Sequence, residues 1–173
     1  QLFDDALTYI EMAKSVFVDY DMVFRFYEGV VYNRQHLFTQ AIIVLEPLVQ
    51  HRYYLYSIDF EYCFALAKLG LKKKFCRHFK LLIQHSNNVM PWRLFLIYAA
   101  FTFELGDKEK AIDVVSYLLG LMKEYGSLFD QQRLLPEKGT MVLTQPEGVD
   151  DTIVVQQFNQ DCNAMLTLFS TTL

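Results

Sequence analysis

Glycine and proline are scarce in this sequence, seven and four among 173 residues. No glycine-rich nucleotide loop, no nucleophile elbow and no His-Glu-x-x-His zinc motif can be found, which removes the commonest phosphate-binding, hydrolase and metalloprotease signatures. Cysteine is sparse too. Cys63, Cys76 and Cys162 are an odd set without framework spacing, so no disulfide scaffold is implied. No Asn-x-Ser/Thr acceptor occurs, and both absences point to a reducing, cytoplasmic compartment. Positive charge is in deficit, with a formal net charge of −4 and a pI of about 5.5, which argues against a nucleic-acid binder and its basic footprint. Long apolar runs are missing as well. The longest, Leu94 to Phe103, stops at Arg93 and Glu104, well short of the ~20 residues a helix needs to cross a bilayer. The chain opens at Gln1 rather than Met, so it reads as a piece whose own N-terminus, with any targeting segment, lies elsewhere.

Apolar residues, by contrast, are plentiful. They make up 53% of the chain and aromatics 16%, a share above that of ordinary globular domains. Such a chain folds, and its surplus of apolar surface calls for a groove or an association interface.

The periodicity is helical almost throughout. It predicts a helix over 2–18, helix pairs at 22–34 with 38–51, 57–69 with 72–85 and 91–104 with 108–125, a stretch without regular pattern at 126–149, and a last helix over 150–173. Met141 to Thr144 could be written as a short strand. Asp150 or Asp151 opens the last helix, whose apolar face is Val154, Phe158, Cys162, Met165 and Phe169. That helix reads as a cap on the open end of the array, with an arm lying in a groove as the alternative. Three segments share one grammar: an apolar helix, a short polar break, then a second helix beginning with a compact residue. In the clearest, Gly106 ends one helix in the left-handed conformation, Asp107 caps the next and Ala111 lets the two pack closely. Gly70 precedes Phe75 in the same way, and Gly29 and Tyr32 precede Ala41. The packing positions 41, 75 and 111 are 34 and 36 residues apart, and Ala6, with Ile10 and Ala13, stands 35 before Ala41.

This spacing resembles the tetratricopeptide repeat, a helix–turn–helix unit of ~34 residues. The resemblance covers about residues 2–125 and is strongest from Pro91 to Ala111; bulky Phe75 departs from the small residue the family prefers. It implies an all-α solenoid of about three helix pairs, with repeats over 1–125, a linker or arm over 126–149 and a capping helix over 150–173. In that family the first helix of each pair lines a concave, peptide-binding surface. Carried over, the lining is Phe26, Tyr27, Val30, Asn33 and Arg34, then Phe60, Glu61, Phe64 and Lys68, then Arg93, Leu96, Ile97, Ala100 and Phe103. It is mostly apolar and lacks the Lys and Asn clamp with which some members grip a terminal carboxylate.

Chemistry-bearing side chains have bland explanations. The cluster Lys72, Lys73, Lys74, Arg77, His78 and Lys80 reads as a solvated face, or as a docking patch for an acidic partner. Cys76, His78 and His85 lack metal-ligand spacing. His36 and His51 sit at helix ends, Asp4-Asp5 and Asp150-Asp151 open helices, and Tyr53, Tyr54 and Tyr56 mark a turn between pairs. The expectation is a non-enzymatic scaffold or chaperone without metal or cofactor, holding an apolar segment of another protein or peptide. Three repeats with an apolar lining also resemble the class II chaperones of type III secretion. The alternative is a structural subunit that self-associates as a homodimer.

Overall fold

The computed structural model describes residues 2–51, 56–84, 92–132 and 151–171. Among the described residues there are eight α-helices, one 3₁₀ turn and no strand, so the chain is all-α. In order they are α1 (Leu2–Val16), the 3₁₀ turn (Val18–Tyr20), α2 (Asp21–Arg34), α3 (Phe38–Gln50), α4 (Tyr56–Lys68), α5 (Lys72–Gln84), α6 (Trp92–Glu104), α7 (Lys108–Gln132) and α8 (Asp151–Thr171). They group into two compact units, residues 1–85 and 86–173.

Three helix pairs, α2–α3, α4–α5 and α6–α7, are closed by the same three-residue turn. The amides of Leu37, Leu71 and Asp107 donate back to the carbonyls of Tyr32, Leu66 and Thr102, and those of His36, Gly70 and Gly106 donate to Asn33, Ala67 and Phe103. This is the Schellman closure, which needs a left-handed residue one place past the helix. His36, Gly70 and Gly106 supply it, with φ of 61°, 66° and 94°. The carbonyls of Leu37, Leu71 and Asp107 then receive the first bond of the next helix, from the amides of Ala41, Phe75 and Ala111. Asp107 Oδ1 also accepts from the Lys110 amide at 3.2 Å, the cap expected there.

The 34- and 36-residue spacing is thus a structural register, and burial obeys it. Ala41, Phe75 and Ala111 are wholly buried, as are Leu45, Phe79 and Val115 one turn on and Leu48, Leu82 and Leu118 after them. The facing position on the first helix of each pair is small: Gly29, Cys63 and Ala99, each buried. Gly29 owes its place to close packing. It lies inside α2 rather than at a turn, and a Cβ there would stand 2.5 Å from the Leu45 side chain. The left-handed residue of this pair's turn is His36.

In the first unit α1 lies antiparallel on α2, with Lys14 bonded to Glu28 and Gln35 Nε2 donating to Asp4 Oδ1 at 3.2 Å. Beyond it α2 packs on α3, α3 on α4 and α4 on α5, and α2 also touches α4 directly. In the second unit α6 packs on α7, and α8 lies against both. Buried Phe158, Cys162 and Phe169 form the apolar face of α8, with Met165 half-buried beside them, as its spacing predicted. Helix α7 runs to Gln132, so the stretch expected to start at 126 is helical for its first seven residues. Gly126 lies inside it, where a glycine costs only ~1 kcal/mol. Residues 133–150, Tyr53, Tyr54, His85 and Pro91, and the side chain of Val154, lie outside the described residues.

Candidate functional site

The expected lining of the first unit falls on α2 and α4, which touch. Corresponding positions are Phe26 and Phe60, Val30 and Phe64, and Arg34 and Lys68, each 34 residues apart. Phe26 is half-buried with its ring 5.4 Å from that of Tyr27, and Tyr27 is 54% exposed. Val30 is half-buried and Arg34 is exposed. On α4, half-buried Phe60 leans on Tyr56 at 6.0 Å, and half-buried Phe64 meets the edge of Phe38 at 6.1 Å. Lys68 places its Nζ 5.4 Å from the centre of the Phe64 ring, a cation–π arrangement. Four aromatic rings that are neither core nor free, with Arg34 and Lys68 at the C-terminal end, make an apolar strip bounded by positive charge.

Three expected lining residues serve another purpose. Asn33, only 2% exposed, donates from Nδ2 to Glu61 Oε2 at 2.7 Å and to the Glu61 carbonyl at 3.0 Å. Glu61 is itself buried, and its other oxygen stands 3.8 Å from Arg34 Nη2. Asn33 and Glu61 are therefore the polar seam that holds α2 to α4. Helical spacing put Asn33 on the strip; what it could not show is that the two helices approach closely enough to cover it. The Asn33 Oδ1 is buried without a hydrogen-bond partner, which makes the seam sensitive to exact placement. Phe103 is the third. Its ring stacks on Phe169 of α8 at 4.5 Å, so α8 covers it. Within the second unit Arg93 is exposed and Leu96, Ile97 and Ala100 are half-buried.

The expected solvated basic face of α5 is also divided. Lys73, Arg77 and Lys80 are exposed, but His78 is buried and its Nε2 lies 2.9 Å from Asp59 Oδ1 on α4. Around this pair stand Tyr62, whose ring meets the His78 ring edge-on at 4.9 Å, and Glu46 of α3, which accepts from the Tyr62 hydroxyl at 3.1 Å and pairs with Lys74 at 2.6 Å. The Lys74 ammonium beside Glu46 holds that carboxyl below its ordinary range, and Glu46 in turn raises Lys74. Burial raises the Tyr62 phenol. This network links three helices, and sequence reading missed it because Asp59 and His78 are 19 residues apart on different helices. The one available signal was an Asp in the middle of an apolar helix, which needs a partner when buried.

Two of the three thiols, Cys63 and Cys162, are poor nucleophiles. Burial, with Asp59 nearby, pushes Cys63 well above its ordinary value. Burial, with Asp161 nearby, pushes Cys162 up to about 11. Among the described residues no group of three His, Cys, Asp or Glu side chains is placed to hold a metal ion, and no helix is long and apolar enough to cross a membrane. Comparison with family models, curated proteins and solved structures finds no match. What this chain resembles therefore rests on its repeated turn and on the strip along α2 and α4.

Proposed function

We propose that the chain is a tetratricopeptide-like helical-repeat scaffold, and that the strip along α2 and α4 holds an apolar segment of another polypeptide. The observation that carries this reading is the half-buried state of Phe26, Phe60 and Phe64 beside exposed Tyr27. Phe75 and Phe79, at the centre of the first unit, are buried fully. Rings that are only half-covered, on two adjacent helices and at matching register positions, leave faces for a ligand. Covering one such side chain fully contributes up to roughly 1.5–3 kcal/mol before ordering costs are subtracted. Arg34 and Lys68 favour an acidic residue where the segment leaves the strip. The repeated Schellman turn and the common burial register support the family reading. The burial and raised pKa of Cys63 and Cys162 and the structural use of the Asp59–His78 pair support a binding role over a catalytic one.

Selection of peptides from a random display library on the purified chain tests this. Enriched peptides should carry two or more apolar anchors, and their affinity should fall at least tenfold with Tyr27→Arg at unchanged helical content. Phe64→Arg should act in the same direction, with some loss of stability because that ring also packs on Phe38. Recovery of no apolar peptides, or peptides indifferent to both substitutions, would sink the proposal.

A further inference from the structure

Helix α3 packs on both α2 and α4 and runs back between them, so α2 and α4 point the same way. The bond from Asn33 to Glu61 sets these two residues level with each other. Phe64 and Lys68 therefore stand past the last turn of α2, which agrees with the contact of Phe64 with Phe38 at the start of α3. The strip thus passes from Tyr27 and Val30 on one helix to Phe60 and Phe64 on the other. Val23, 45% exposed and one turn before Tyr27, extends it at the far end. Counted from Tyr27 to Asn33 and then from Glu61 to Lys68, at 1.5 Å per residue, the strip is roughly 20 Å long.

An extended segment of that length has about six residues, and roughly half of its backbone N–H and C=O groups would face the strip. Each one covered without a partner weakens binding roughly five- to a hundredfold. The strip has little to offer them. Short of its cationic end, its hydrogen-bonding side chains are the Tyr27 hydroxyl and Ser57, exposed three residues before Phe60. Asn33, the side chain best suited to bond a passing backbone, is 2% exposed and donates to Glu61 instead. An α-helix brings its own backbone groups already paired and asks of the strip only apolar contact. The furrow between two neighbouring helices is also the surface into which the side chains of a third helix pack.

Charge then fixes one end of the occupant. The Arg34 side chain is 61% exposed and stands 3.8 Å from Glu61, its carboxylate neighbour. Lys68 lies over the Phe64 ring, and among the described residues no carboxylate pairs with it. We infer that the occupant is an amphipathic α-helix of about 13 residues, with an apolar stripe at intervals of three and four that ends in acidic side chains beside Arg34 and Lys68. This rests on the binding role proposed above and names the chemistry of its partner.

Two synthetic peptides of identical composition, measured by fluorescence anisotropy on the purified chain, are the test. In one, leucines stand at intervals of three and four among alanine and glutamine and are followed by a pair of glutamates. In the other, the leucines alternate with those residues in strand fashion before the same pair. The first should bind at least tenfold more tightly. A peptide this short is only partly helical alone, so circular dichroism of the mixture should exceed the sum of its parts. Tyr27→Arg should weaken this binding at least tenfold, while Tyr117→Arg, at an exposed aromatic on α7, leaves it unchanged. Exchanging the glutamates for lysines should cost at least threefold, and Lys68→Glu should reverse that preference. Equal or tighter binding of the alternating peptide, still lost with Tyr27→Arg, keeps the strip as a binding surface and overturns the helical occupant. Equal binding of the glutamate and lysine forms overturns its acidic end. Binding of neither peptide, or binding indifferent to Tyr27→Arg, overturns the role of the strip and this inference with it.

Discussion

Replacing Gly29 by Ala probes the repeat register more sharply than any change at the surface. The added methyl would stand 2.5 Å from the Leu45 side chain, and Leu45 is wholly buried with little room to withdraw. Overpacking of this kind costs about 1–3 kcal/mol, while Ala in place of Gly in a helix interior returns about 1 kcal/mol. The net expectation is a loss of about 0–2 kcal/mol. In the third pair the corresponding positions hold Ala99 and Val115, both buried, so the second site can be shortened to match. Leu45→Val alone should cost about 1 kcal/mol for the lost methylene and residual cavity. The double variant Gly29→Ala/Leu45→Val recreates the third pair's combination, and should be about 1 kcal/mol more stable than Leu45→Val alone, because it keeps the helical gain of Ala over Gly without the clash. A double-mutant cycle in urea, followed by circular dichroism, should therefore give a coupling of about 1–3 kcal/mol, the overpacking cost itself. Strict additivity would show that the two positions do not face each other as the register requires.

Other consequences follow from the turns and the polar network. Because His36 sits at φ 61° where the sister turns use glycine, His36→Gly should stabilise the chain by about 0.5–1 kcal/mol. Gly106→Ala at φ 94° should destabilise it by about 1–2 kcal/mol; thermal melts of the two variants should move in opposite directions. Asp59→Ala leaves buried His78 short of its partner and should cost about 1–3 kcal/mol, whereas replacing both residues by leucine should cost less than Asp59→Ala alone. Glu46 titrates below its ordinary range in the folded chain, so its contribution is present above the normal carboxylate range and is lost as pH falls through the lowered value. Lys74→Met removes the main cause of that lowering and should flatten the acid side of the stability–pH curve.

The repeat was legible because it is written in side-chain size. Ala41, Phe75 and Ala111 mark where a second helix meets the first, and those positions are buried in all three pairs. Helix bounds followed from the same apolar periodicity and came within a residue or two for α2 to α6. Glycine serves two purposes here: Gly29 relieves a side-chain contact inside its helix, while the left-handed residue of the following turn is a histidine, which has no glycine-like signature. The stretch expected to be irregular from 126 begins inside α7, which carries Gly126. Contacts between helices were the illegible part. The strip was placed as a set of register positions, yet Asn33 and Glu61 were drawn into the α2–α4 seam and Phe103 was covered by Phe169. His78 could not be told from its solvated neighbours Lys73, Arg77 and Lys80 without knowing that Asp59 faces it.

Site-specific photo-cross-linking from the strip is the most direct examination of the binding role. A benzophenone side chain would replace Tyr27 on α2 in one variant and Tyr117 on α7 in another, each irradiated with the selected apolar peptide. The account predicts a covalent adduct at position 27 that an excess of unlabelled peptide abolishes and that Phe64→Arg diminishes, with little or none at position 117. Equal labelling at the two positions, or labelling at 117 alone, would contradict it.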